Sequence, residues 1–279
     1  MLDFLGKAAW HERMLSLMAC GLLQAPPSRI QMHQLRPIIH RRVNMQSKAV
    51  TPDELTLEAV AARFPSMSEL MEIPEGAERL QVMETHLKAR LLDLPLARVR
   101  VAPSTIDGAG MGLFATRDIR TGELVTLYPC DALVTVVRSP LQEDDDEATV
   151  SEIYFDVNAP AGSDWHANFK AQCPEFIRHA WSYSVSISPL RSIIGDPTRA
   201  TDDAAYLAHM VNDFAMCAGS DKNAIEAYVA ASEGAANVGL DTATTNGCHV
   251  AMVATKPIRE GDEILLSYGA GYWLGPGQL

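Results

Sequence analysis

The 279 residues carry 23 Lys and Arg against 35 Asp and Glu, a net charge of −12, with 47% hydrophobic and 21% charged residues. A chain of this size and balance folds as an ordinary globular protein and needs no disulfide or metal staple. The acidic balance argues against nucleic acid as a direct ligand, because phosphate binding is driven by clustered cations, and no run approaches the roughly 20 apolar residues of a membrane helix.

The apolar stretch Met14 to Leu23 follows Lys7, His11, Glu12 and Arg13 and reads as a packed N-terminal helix. A cleaved targeting signal is the alternative, which leaves organellar targeting open. A basic, proline-broken connection (PPSRIQMHQLRPIIHRR) follows Ala25. Thr51-Pro52-Asp53-Glu54 then supplies an N-cap, a proline at the first helical position and an early acid, ahead of Leu55, Leu57, Val60, Ala61 and Phe64. A second helix is predicted from Pro74 or Glu75 to about Asp93, with Leu80, Met83, Leu87, Leu91 and Leu94 on one face. Residues 1–97 are therefore expected to form an α-helical segment.

From Arg98 the texture changes to short β-branched runs between glycine turns such as Asp107-Gly108 and Thr121-Gly122. Strands are predicted at Val99–Val101, Leu124–Tyr128, Leu133–Val137, Ser182–Ser188, Val250–Ala254 and Glu263–Tyr268, and a helix over Asp202–Val211. The acidic run Glu143 to Glu147 reads as a solvated loop. Cys20, Cys130, Cys173, Cys217 and Cys248 lie far apart with no CxxC. That pattern makes neither a disulfide framework nor a zinc cluster, and it suits a reducing compartment, nucleus or cytoplasm.

Three pieces of the β-rich part carry chemistry. Gly108-Ala-Gly110-Met-Gly112 runs into Leu113-Phe114-Ala115. A dinucleotide fingerprint would need glycine at 113 and then a helix, so that reading fails. The loop still lets backbone groups approach a ligand, although a glycine-rich hairpin without one is equally open. His209-Met-Val-Asn212-Asp213-Phe214 is followed by Ala236-Asn237. His209 and Asp213 are four apart, but no third residue is spaced to complete a metal site. Glu260-Gly261-Asp262-Glu263-Ile-Leu-Leu266-Ser-Tyr268-Gly269, with Tyr272 and Trp273, reads alone as a strand and an aromatic cluster.

In this order the three pieces resemble the SET-domain family of protein-lysine methyltransferases. The likeness spans about residues 98–273, with insertions at roughly 138–180 and 215–233, and takes residues 98–279 as the domain. It implies a mainly β SET fold of several small sheets with a knot-like C-terminal threading, and S-adenosylmethionine (SAM) as methyl donor, released as S-adenosylhomocysteine (SAH). It further implies that backbone groups of Gly110, Met111 and Gly112 hold the donor's methionine end. Asn212 and Asp213 would contact its amino-acid end and adenine. Tyr268 would be the catalytic tyrosine, and Tyr128 would line the channel that admits the substrate lysine. Leu266 and Tyr272 belong to that channel, and Trp273 to its closure or to the adenine cover.

Two departures stand out. Asp213 takes the place of the histidine that usually follows the family's asparagine, and Leu266 stands where many relatives carry Phe or Tyr. No cysteine cluster flanks the domain, so the N-terminal helices or the insertions are expected to cover the channel. The implied partner is a lysine-bearing basic protein, a histone or another, drawn by charge complementarity. The reading from another class is a catalytically silent SET-like module that binds a protein or peptide. The oligomeric state is left open.

Overall fold

The computed structural model describes residues 55–61, 88, 90–91, 94–138, 150–188, 191–199, 203–242 and 249–274. The helix predicted over 14–23, most of the helix predicted over 74–93, the acidic run at 143–147 and Asp202, the first residue of the helix predicted over 202–211, lie outside them. Three small antiparallel sheets make the frame. β1 (Val99–Pro103) and β2 (Met111–Ala115) form a hairpin in register Val99↔Ala115 to Pro103↔Met111. On the other edge of β2 sits β10 (Glu263–Ile264), through Glu263↔Phe114 and Ile264↔Leu113. The glycine loop and the last strand thus share one sheet although about 150 residues separate them.

β3 (Leu124–Leu127), β8 (Val238–Thr242) and β9 (Val250–Ala254) make the second sheet in the order β3-β9-β8. All four residues of β3 are buried, as expected of a short apolar run covered on both faces. β4 (Ala132–Arg138), β5 (Val150–Val157), β6 (Ser184–Ser188) and β7 (Arg191–Ile194) make the third, in the order β5-β4-β7-β6. The predicted insertion at 138–180 therefore contributes a strand to this sheet. It also carries α2 (Asp164–Lys170) and α3 (Pro174–Trp181), which pack Phe176 edge to face on Trp165 and Phe169, the latter two tilted on each other, with centroids 5.2–5.3 Å apart. α1 (Leu57–Ala61) is the described part of the helix predicted from Thr51. Its Val60, with Leu55 and Leu96, packs on Leu124, Leu127 and Tyr206, so these residues share a core with the sheets.

The main cluster lies where the sheets meet, around Leu113, Val125, Leu133, Ile193, Met252 and Ile264. Two predicted elements differ from what forms. No α-helix spans 203–211; Ala208–Met210 is one 3₁₀ turn and Val211 is extended (φ −73°, ψ 139°). β3 claims the backbone groups a helix would use, because Leu127 N and Thr126 Oγ1 donate to Ala205 O while Leu207 N donates to Thr126 Oγ1. The strand predicted to Tyr268 ends at Ile264, where Leu265 and Leu266 leave the sheet to pair with Asn212 and Asn237. The second insertion holds α4 (Lys222–Ala235), whose first amides at Asn223 and Ala224 donate to the Asp221 side chain at 3.0 Å. α5 (Ala270–Leu274) closes the described chain. No helix among the described residues is long and apolar enough to cross a membrane.

Asp131 ties the third sheet to the rest. It is fully buried and accepts from Arg90 Nη2 at 2.9 and 3.0 Å, from Asp196 N at 2.9 Å and from Arg199. Removing it would strand two guanidinium groups, so Asp131→Ala is expected to cost about 3–5 kcal/mol. Urea unfolding of the purified variant checks this.

Candidate active site

The first half of the site is the turn between β1 and β2. Gly108 (φ +76°) and Gly110 (φ +74°) adopt left-handed backbone that other residues resist, and nothing lies within 4 Å of where a Cβ would stand on either. Gly112 is glycine for a different reason. A Cβ there would lie 2.2 Å from Glu263 Oε1 and 3.1 Å from Asn212 Nδ2. Its small size admits Glu263, which organises the loop by accepting from Ser104 Oγ at 2.7 Å, Thr105 N at 2.8 Å and Thr105 Oγ1 at 2.5 Å. Burial alone would raise the Glu263 carboxyl, but these bonds and one from Asn212 outweigh it and hold it below the usual carboxylate range. Asn212 Nδ2 also donates to Met111 O at 3.1 Å, which joins the loop to the Asn212 segment.

The second half is a narrow cavity of about 40 Å³ walled by Tyr128, Val185, His209, Val211, Leu240, Leu266, Tyr268 and Tyr272, with Ser182, Ser184 and Ala208. That volume holds a few waters at most and fits a thin unbranched chain. Among the described residues neither Lys, Arg, Asp nor Glu lines it. Tyr268 donates its hydroxyl to Val211 O at 2.5 Å, and Tyr128 donates to Tyr183 O at 2.7 Å. Burial, followed by the charges of neighbours, pushes both phenols well above their ordinary value, so both stay protonated at neutral pH. Tyr272 meets the Tyr268 ring edge-on at 4.7 Å, and Trp273 stacks on Tyr268 at 6.0 Å. Burial drives His209 down to about 4, leaving a neutral imidazole whose Nε2 meets Asp196 O at 3.2 Å.

Between the halves runs Asn212-Asp213. Leu266 N donates to Asn212 O at 3.0 Å. Asn237 clamps the neighbouring strand through Nδ2 to Glu263 O at 2.8 Å and Leu265 N to its Oδ1 at 2.9 Å. Asp213 is buried, and its Oδ2 accepts from Tyr228 Oη at 2.5 Å, Tyr268 N at 2.9 Å and Trp273 Nε1 at 3.3 Å. Its Oδ1 accepts from Ser232 Oγ at 2.5 Å and Ala215 N at 3.4 Å.

The structure brings Tyr128, Leu266, Tyr268 and Tyr272 around one cavity and joins Gly110, Met111 and Gly112 to Asn212 beside it. Trp273 is not a wall residue and meets the cavity through Tyr268 and Tyr272, and the Asp213 side chain turns inward. Sequence reasoning gave no role to Glu263, Tyr228, Ser232 or His209 as a channel wall. Tyr228 and Ser232 are four apart on α4, one face of a helix, and that spacing was the available signal. Glu263 was visible only as a member of its motif.

A family model described as the SET domain matches residues 110–269. The chain belongs to the SET-domain family. Among solved structures it is similar to a humanized mutant of the Chaetomium thermophilum Polycomb Repressive Complex 2 bound to an inhibitor, at 18% identity and TM-score 0.31 over 61% of this chain and 15% of that one. It is also similar to ctPRC2 in an autoinhibited conformation bound to S-adenosylmethionine, at 17% identity and TM-score 0.33 over 62% of this chain and 15% of that one. The chain thus overlies about one-seventh of the length of these structures. No curated protein matches.

Two outcomes follow from the loop. Gly112→Ala is expected to lose about 1–3 kcal/mol by overpacking against Glu263, read by thermal unfolding. Because the Glu263 carboxyl is depressed in the fold, its contribution is full above its unfolded value and is lost as pH falls through the folded one. Glu263→Gln is therefore expected to be less stable than wild type at pH 7, with the gap closing below about pH 4. Urea titrations at the two pH values test it.

Proposed function

We propose that the protein is a protein-lysine N-methyltransferase using SAM, residues 98–279 forming its catalytic unit and 1–97 an α-helical cover. The observation that carries this reading is the narrow, aromatic-walled cavity lined by Tyr268 and Val211, whose hydroxyl and carbonyl are bonded to each other, together with a glycine loop open to solvent. The residues fit the donor. The loop offers bare backbone at Gly108 and Gly110, the Asn212 amide stands next to it, and the exposed Met111 and Phe214 offer apolar surface for an adenosine. When bound, SAM supplies an electrophilic methyl group on a sulfonium.

The chain's own residues do the rest. A lysine amine attacks only when neutral, and its ordinary pKa is about 10.4. With Tyr, Ser, Val, Ala, Leu and a neutral His209 lining the cavity, no carboxylate among the described residues touches the amine, and desolvation favours its loss of a proton. His209, held near 4, is too weak a base to take that proton, which leaves with solvent before the amine is seated. The Tyr268 proton is committed to Val211 O, so toward the cavity the Tyr268 oxygen accepts. It orients an amine N–H and makes weak CH···O contacts to a methyl group. Tyr128 and Tyr272 supply aromatic faces for an alkyl-ammonium product. Leu266 leaves the number of methyl groups undetermined by a bulky aromatic at that position. The expected knot-like threading is supported by the parallel bridge Asn212↔Leu265 and the Asn237 clamp behind it. The net charge of −12 favours a basic lysine-bearing partner, a histone or similar protein in the nucleus or cytoplasm.

Tyr268→Phe is expected to keep SAM affinity within about threefold while turnover falls about 10²-fold or more. Calorimetry with SAM and labelled-methyl transfer separate the two; equal losses would make Tyr268 a structural residue and favour the silent binding module. The rate is expected to rise with pH from 7 to about 9.5 as the substrate amine deprotonates. No falling limb from Tyr268 or Tyr128 is expected in that range, since both phenols are raised. A pH–rate profile under saturating SAM checks this.

A further inference from the structure

Asp213 is a buried carboxylate surrounded only by neutral groups: two hydroxyls, two backbone amides and an indole N–H. Among the described residues no Lys, Arg or His makes an ion pair with it. Hydrogen bonds from neutral donors can hold a carboxylate in place, but they leave its net charge uncancelled. Buried carboxylates are usually paired, as Asp131 is with two arginines in this same protein. The uncancelled charge sits between the two halves of the site. Asp213 follows Asn212, which holds Met111 O, and it receives the N–H of Tyr268, whose hydroxyl meets Val211 O.

We propose that Asp213 is the fixed counter-charge of the donor site, an anion held by neutral donors alone so that its field acts on the sulfonium cation of bound SAM. The inference rests on the methyltransferase reading and assigns one residue a role within it. The field already reaches the neighbouring side chains, since the Asp213 charge is among the causes that raise the phenols of Tyr268 and Tyr272. α4 belongs to the same device. It supplies Tyr228 and Ser232, two of the five donors, and it lies in the insertion at 215–233. The acid at 213 and the inserted helix are thus two parts of one arrangement: a histidine there could not take five donors. In addition, Asp213 fixes the backbone of Tyr268 directly, which makes it a positioning residue as well as a charge.

The charge is testable apart from the geometry because SAM is cationic at sulfur and SAH is neutral. Asp213→Asn keeps the shape. Its carbonyl oxygen, in the place of Oδ2, accepts from Tyr228 Oη, Tyr268 N and Trp273 Nε1, while its amide N–H, in the place of Oδ1, faces the Ser232 hydroxyl, which can turn to accept; the one bond lost is the long one from Ala215 N at 3.4 Å. Calorimetry is run with SAM and with SAH on the full chain. Asp213→Asn is expected to weaken SAM about tenfold, the effect of one fixed charge a few side-chain widths away at protein-like dielectric. SAH should change less than about threefold, a span small beside that charge effect. Tyr228→Lys, which retains the carboxylate but brings a cation to it, is expected to reproduce the shift in the SAM to SAH ratio even if Asp213→Asn does not fold. Tyr228→Phe removes a hydrogen bond without changing charge and should leave the ratio in place while lowering stability. An unchanged ratio in the charge-altering variants, with both ligands bound, overturns the counter-charge and leaves the methyltransferase reading standing. Failure of the wild-type protein to bind either SAM or SAH overturns both.

Discussion

The joint of the candidate site depends on the buried carboxylate of Asp213. Asp213 gathers donors from α4, from the turn at Ala215, from the backbone of Tyr268 and from the indole of Trp273, segments that lie up to 58 residues from one another. Each donor alone is worth about 1 kcal/mol net, but leaving the acceptor bare in the interior would cost several times that. The consequence is geometric. With the backbone N–H of Tyr268 held, its ring lies between Tyr272 and Trp273 and its hydroxyl reaches Val211 O, two residues before Asp213 itself. The tyrosine is thus fixed at both ends by the same short segment.

A second carboxylate does the equivalent work on the other side of Asn212. Glu263 draws Ser104 and Thr105 onto β10, and Gly112 has no side chain because Glu263 occupies the space. Asn237 fixes the backbone on either side of Ile264. The loop and the aromatic cavity are therefore two local structures hung on one sheet edge, and Asn212-Asp213 is the joint between them. Under the proposed methyltransferase reading the reaction needs no strongly basic side chain: the wall supplies desolvation, the tyrosine supplies orientation, and geometry carries the rate.

Much of this was legible in the sequence, and for identifiable reasons. The strands at Leu124–Leu127, Leu133–Val137 and Val250–Ala254 are short β-branched runs bounded by turns, and they form as read. The motifs placed Tyr128, Leu266, Tyr268 and Tyr272 on separate elements that the fold brings to one cavity. What escaped was set by long-range pairing. The run before Val211 has helical periodicity, yet Thr126 and Leu127 take its backbone groups from 80 residues away. Glu263 and Asp213 are ordinary acids in a sequence; only the fold shows that every partner of Asp213 among the described residues is a neutral donor. Gly112 illustrates the same limit, since a sequence shows only that its backbone is open to a ligand, and the fold adds that a Cβ there would meet Glu263 and Asn212.

The central claim is that the cavity admits a lysine side chain to a methyl donor. Incubating the protein with labelled SAM and core histones, then a whole-cell lysate, and locating the label by mass spectrometry tests it most directly. The account predicts label on lysine ε-amines of a basic protein. Label on another residue type, or no label together with no SAM binding, would contradict it.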